Sequence, residues 1–334
     1  MTTSAFSPSR RKLLGSVPAA AAASMLAATG FAPSARAAGT AEGAEAAGPV
    51  TFYAELRVAQ PNKAGFDTGM QAFAQAMQSR EALAVTLKQM VGDSTMVKNY
   101  PASYKGVLRS AYLDGAKAGT LPLFYSLFVR FPDLRALRAA QADAVFDRHV
   151  LPHLHGVTVR DDKPVPSPQP MAVYRGVFET TLAGDRKGIY TGHDGLVRFL
   201  SHPVDSHSAT LVTVENHVFL PESLVSAADK LVPQLLKVAQ ETYQPSDDVN
   251  RAGLPGSMHN RNYRRAMSTE VLRKIEPDGQ YRAYLLHGVW ESVWDHENSH
   301  LDPRFQKAVA PVGAAVAIGP VEPFYATRLT VLKA

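Results

Sequence analysis

The segment His296-Glu297-Asn298-Ser299-His300 places two histidines four residues apart with a glutamate beside the first. On a helix this H-E-x-x-H spacing lets both imidazoles share a zinc while the Glu serves as base. Three features count against it. At about 100° per residue, Trp294, Leu301, Phe305 and Val309 form one apolar stripe, and both histidines project away from its centre. Pro303 ends the helix early, and beyond Asp302 the only downstream carboxylate is Glu322. The competing reading is a solvated pair of helix histidines. Asn216 shares strand parity with Val212, Val214 and Val218, so it faces an apolar surface where an amide must find partners. It is either satisfied by backbone or an amide donor that orients a ligand carbonyl or bound oxygen between sheet and helix. Trp290 and Trp294, the only tryptophans, are core fillers or, with Phe305, the walls around a planar ligand. Tyr263 and His287 lie on nearby strands and could titrate or donate there. The catalytic candidates are thus Asn216, Tyr263, His287 and His300, and the metal candidates His296 and His300.

The elements that must position these residues occur twice. Phe131 and Trp290 are 159 apart, as are Phe146 and Phe305, Val150 and Val309, and Pro152 and Pro311. With a shift of one residue, Glu55 to Pro61 meets Glu215 to Pro221. Each copy opens on an alternating strand, 51–59 or 210–220, followed by a long helix, 66–90 or 222–243. Two strands come next, 104–113 with 121–131 and 262–272 with 281–290. A second helix, 132–153 or 292–312, leads to a closing strand, 172–182 or 324–332. The order β-α-β-β-α-β is ferredoxin-like, an α+β antiparallel sheet with helices on one face. Two such sheets can cover each other's apolar faces, so the chain reads as its own dimer: an intramolecular α+β barrel with domains at 49–185 and 206–334 and a linker at 186–205. The positions of Asn216, Trp290, Trp294, His296 and His300 carry Leu56, Phe131, Arg135, Leu137 and Gln141 in the first copy. A single active site therefore belongs to the second copy, with the first as structural partner. His149, His153 and His155 at a helix end read as capping or surface groups.

The strand Val214-Glu215-Asn216-His217-Val218, the Trp290-Glu291-Ser292 junction and the kinked His300-Leu-Asp-Pro-Arg-Phe305 resemble the first strand and last helix of the antibiotic-biosynthesis-monooxygenase-like (ABM) family, dimeric α+β barrels. The kink has a physical basis, since Asp302 can cap a helix that starts with Pro303 at its first position. The first copy resembles the family only through the repeat. The resemblance implies an oxidoreductase, a cofactor-independent monooxygenase of a small aromatic substrate. It also places the pocket Asn of haem-degrading relatives on Asn216, whereas their axial His falls on Val309 and their helix Trp on Ser299. The alternative is a periplasmic protein that binds haem or another hydrophobic ligand without turnover. No cofactor is the leading expectation, with haem or zinc as alternatives.

The formal charge is +5, but Arg10, Arg11, Lys12 and Arg36 supply four of those charges before residue 38, where there are no acids. The remaining +1 offers no footprint for nucleic acid. Cysteine is absent, which excludes disulfides, thiol nucleophiles and Cys-based metal sites. Arg10-Arg11, an Ala-rich stretch and Ala35-Arg36-Ala37 read as a cleavable twin-arginine signal over 1–37, followed by a flexible leader over 38–48. The expected location is periplasmic or secreted, with the export machinery as a partner and no stable membrane insertion after cleavage.

Overall fold

The computed structural model describes residues 48–93, 122–160, 163–170, 173–206, 208, 210–242, 266–292, 295–296, 299 and 303–333. The expected signal and leader, the strand at 104–113, and Tyr263, Trp294 and His300 lie outside the described residues. In chain order the elements are β1 (Val50–Val58), α1 (Lys63–Gln78), β2 (Ala84–Asp93), β3 (Leu123–Phe131), α2 (Leu134–Ala140), α3 (Ala142–His149), β4 (His155–Arg160), β5 (Lys163–Pro170), β6 (Tyr174–Asp185), β7 (Gly188–Tyr190) and α4 (His193–Ser201). They continue with β8 (Val212–Pro221), α5 (Val225–Thr242), β9 (Ser268–Lys274), β10 (Tyr281–Trp290), α6 (Pro303–Ala315), β11 (Ile318–Val321) and β12 (Pro323–Leu332). Among the described residues no helix is long and apolar enough to cross a membrane.

Eight antiparallel strands close on themselves in the order β1-β3-β2-β12-β8-β10-β9-β6, with β6 returning to β1. Within 50–185 the strands lie β2-β3-β1-β6, and within 212–332 the equivalent order is β9-β10-β8-β12. The last strand of each run pairs with the second strand of the other, β6 with β9 and β12 with β2. β4 and β5 form a separate two-stranded ribbon.

Alternation along each strand sorts its side chains between two faces. On β1, Val50, Phe52, Ala54, Leu56 and Val58 face outward and are buried under α1, α2 and α3, with Phe66, Met70, Phe73 and Met77 lining α1 at helical spacing. Asp133 caps α2 by accepting from the Ala136 N–H at 2.7 Å, and Gln141, at φ 50°, breaks the expected long helix into α2 and α3. In the second run Ala228, Val232 and Leu235 of α5 and Val312 of α6 cover Val218, Leu220, Val271 and Tyr284.

Several expectations change. The first helix ends at Gln78, not residue 90, because Glu81 at φ 67° turns the chain and 84–93 becomes the strand that pairs with both β3 and β12. Pairing on two sides outweighs local helix preference there. The 186–205 segment, expected as a linker, carries β7 and α4. The faces that meet inside the barrel are only partly apolar: beside Phe124, Phe128, Phe219, Leu272 and Leu285, the residues Thr51, Glu55, Lys88, Ser126, Arg130, Glu215, His217, Glu270 and His287 lie buried there.

Candidate functional site

An eight-stranded barrel is just wide enough for side chains to fill it, and here polar and charged groups fill much of it. At one end, Arg130 donates to Glu270 through both terminal nitrogens, at 2.6 and 2.8 Å, and to Thr51 Oγ1 at 2.7 Å. Glu270 Oε2 lies 3.4 Å from His287 Nδ1, and Lys88 Nζ lies 3.0 Å from His287 Nε2. These partners assign His287 the tautomer with its proton on Nδ1. Burial and the charge of Lys88 hold His287 below its ordinary range, so it sits neutral and accepts from Lys88. Burial alone would raise Glu270, but the charge of Arg130 and the hydrogen bond from His287 outweigh it and bring the carboxyl down to about 2. Lys88 also donates to Asp205 at 2.5 Å and to Thr213 at 2.8 Å. Burial opposes ionisation of Asp205 too, yet Lys88 keeps it well below the carboxylate range. The Phe128 ring lies beside this chain, 4.7 Å from the Arg130 guanidinium and 5.0 Å from the His287 ring.

A second cluster lies further along the interior. The Tyr53 hydroxyl donates to Glu215 Oε2 at 3.0 Å and lies 3.3 Å from His217 Nε2. Ser126 donates to the other oxygen of Glu215, and His217 Nδ1 is 3.3 Å from Glu55 Oε1. The two glutamates occupy equivalent places on the opening strands of the two runs. That repeat of Glu55 and Glu215 among alternating apolar residues was the signal available in the sequence. Sequence reasoning used it to align the copies, not to find a polar interior.

The outer face of the second run holds the other constellation. Asn216 stands on β8 between Val214 and Val218, as its parity requires, and its Nδ2 donates to the buried Glu322 at the β11–β12 junction. Its Oδ1 is buried with no hydrogen-bond partner among the described residues. Trp290, at the end of β10, packs with Val214, Ala266, Phe324 and Phe305. The His296 ring stands edge-on to Trp290 at 5.3 Å and to Phe324 at 5.4 Å, so it is buried rather than solvated. Asn216, Trp290, His296 and Phe305 therefore share one face. His287 does not join them: it pairs with Glu215 across β8, one residue out of phase with Asn216, and points into the barrel. Nor is the first run only a scaffold, since it supplies Lys88, Arg130, Tyr53, Ser126 and Glu55 to the interior. The outer face offers an amide donor, a carboxylate and aromatic walls. Three His, Asp or Glu side chains placed to hold a metal do not occur among the described residues.

The model of the ABM-like domain matches residues 49–136. Residues 49–136 are an ABM-like domain. The match falls on the first run, not on the second, where the sequence motifs pointed. Residues 181–328 match instead the model of the CT0912-like, C-terminal domain. The ABM-like domain carries β1, α1, β2 and β3, and with them the first run's share of the charged interior. No curated protein matches the chain. Among solved structures, a provisionally assigned monooxygenase of Fusobacterium nucleatum gives a TM-score of 0.46 at 8% identity, covering 86% of this chain and 95% of its own. One from Lactobacillus acidophilus gives 0.46 at 8%, covering 86% and 97%. An anthrone oxidase-like protein gives 0.42 at 14%, covering 85% and 92%.

Proposed function

We propose that the protein is an oxidoreductase of the monooxygenase type, acting without a cofactor on a small aromatic molecule held at the outer face of the second run. The observation that carries this reading is the Asn216–Glu322 pair, an amide and a buried carboxylate on an otherwise apolar face beside Trp290 and His296. An ABM-like domain in the same chain supports it. Trp290 and Phe305 would wall the ring and exclude water, and the Asn216 amide would donate to the oxygen on which negative charge develops. His296 would take the ring proton. The deprotonated substrate supplies the electrons. A ring carbon with two hydrogens in its keto tautomer and one O2 give a carbonyl and one water, with one oxygen atom in each product.

The two β-α-β-β-α-β runs are read as tandem ferredoxin-like units that stand in for a dimer. What supports this is the equivalent strand order in each run and the reciprocal β6–β9 and β12–β2 pairing. The Arg10-Arg11 signal supports export to the periplasm or beyond. The test is oxygen uptake by the purified protein with phenols of this type, using 18O2. One labelled atom is expected in the product, and activity is expected to fall at least tenfold in Asn216→Ala and Trp290→Ala variants that keep the wild-type circular dichroism. Uptake that both variants leave unchanged, or no uptake and a retained chromophore instead, would overturn the assignment.

A further inference from the structure

The connection between the two runs carries a feature that the outer-face chemistry does not use. Asp205 belongs to none of the barrel strands. It follows α4 in the connecting segment, yet its side chain enters the barrel and is 2% exposed. One oxygen, Oδ2, accepts three hydrogen bonds from three different strands: Lys88 Nζ of β2 at 2.5 Å, Thr213 Oγ1 of β8 at 3.0 Å and Thr327 Oγ1 of β12 at 2.8 Å. All three donors are buried and held by the closed sheet, so the cradle belongs to the barrel while the carboxylate comes from outside it. Asp205 lines a cavity of about 20 Å³ together with Phe199, Leu200, Pro203 and Val204 of the connecting segment and Lys88, Glu270 and His287 of the barrel. That is room for one water.

We propose that this barrel mouth is a binding site for a small carboxylate, and that Asp205 occupies it as a built-in stand-in which such a ligand displaces. A carboxylate is the class the donors select. One ammonium and two hydroxyls converge on a single oxygen, and the neutral His287 accepts from Lys88 without adding a competing charge. Displacement is feasible because the plug is thin. Val204 is 39% exposed, and α4 is a nine-residue helix whose N-cap, Gly192, makes no side-chain hydrogen bond. The site lies on the face of the sheet opposite Asn216, so it stands or falls independently of the proposed oxidation.

The experiment empties the cradle and refills it. Asp205→Gly leaves Lys88 without its counter-ion and should lower Tm. Millimolar formate or acetate should then restore Tm, rising with the logarithm of concentration as for any ligand of the folded state, whereas chloride at the same ionic strength should not. Combining Asp205→Gly with Lys88→Met should abolish the restoration. In the wild-type protein, which needs no variant to fold, saturating formate should speed amide hydrogen exchange across residues 193–206 and leave β1 and β8 unchanged. Equal effects of formate and chloride, restoration that survives Lys88→Met, or wild-type exchange at 193–206 that formate does not change would each overturn the proposal.

Discussion

Replacing Glu270 with Gln tests whether the barrel interior is a dry, paired electrostatic core. The side chain keeps its size, but the charge that balances Arg130 is gone, and one of the two forked hydrogen bonds at 2.6 and 2.8 Å loses its acceptor. Both partners are almost fully buried, so solvent does little to screen the loss. Removing one member of a buried pair costs about 3–5 kcal/mol, because the other is left as an uncompensated charge. Against a net stability of roughly 5–15 kcal/mol that is a large share, and it should lower Tm by on the order of 10 °C. Urea unfolding followed by circular dichroism measures the loss. The double variant Arg130→Met with Glu270→Leu should be more stable than Glu270→Gln, since an apolar pair of similar volume avoids leaving a charge behind. Full recovery is not expected, because His287 Nδ1 and Thr51 each lose a partner, at about 1–3 kcal/mol per buried group left unsatisfied. A loss below about 1 kcal/mol for Glu270→Gln, the range of exposed ion pairs, would refute the dry core.

Burial and Lys88 hold His287 below its ordinary range, so on acidification below about 6.5 the unfolded chain takes up a proton that the folded chain refuses. Stability should therefore decline as pH falls from about 6.5, and Glu270, with its pKa lowered from 4.5 to about 2, adds a second decline below about 4.5. Thermal melts of His287→Gln should lack the first decline and keep the second; an unchanged upper limb would show that another group titrates there. Gly69→Ala should be strongly destabilising, since a Cβ on α1 would lie 2.1 Å from the His149 carbonyl oxygen and 2.7 Å from the His153 ring. Wild-type urea stability in that variant would mean that α1 and the end of α3 are not in contact. The same closeness sets the His153 ring against α1, where a capping or surface group was expected.

Much of the architecture was legible because it depends on short-range periodicity. Alternation along 51–59, 210–220 and 281–290 marked the opening strand of each run and β10. The parity of Asn216 with Val214 and Val218 placed it on the helix-covered face, where Glu322 meets it. The strand at 84–93 was hidden, because its side chains fit a continued helix and only pairing with β3 and β12 commits them. His296 was misjudged because one of the two rings that bury it, Phe324, lies 28 residues further along the chain.

The amino-acid order by itself determined which residues share a face, since a period of two is a property of the extended backbone and needs no partner. It could not determine which face is wet. Nothing in their local pattern marks Glu55, Lys88, Arg130, Glu215, Glu270 and His287 as interior residues, and only closure of the barrel through the β6–β9 and β12–β2 pairings between the runs encloses them. Once inside, each charge must find a partner that lies far away in sequence, such as Arg130 for Glu270 or Asp205 for Lys88, because desolvation makes an unpaired charge too costly to keep.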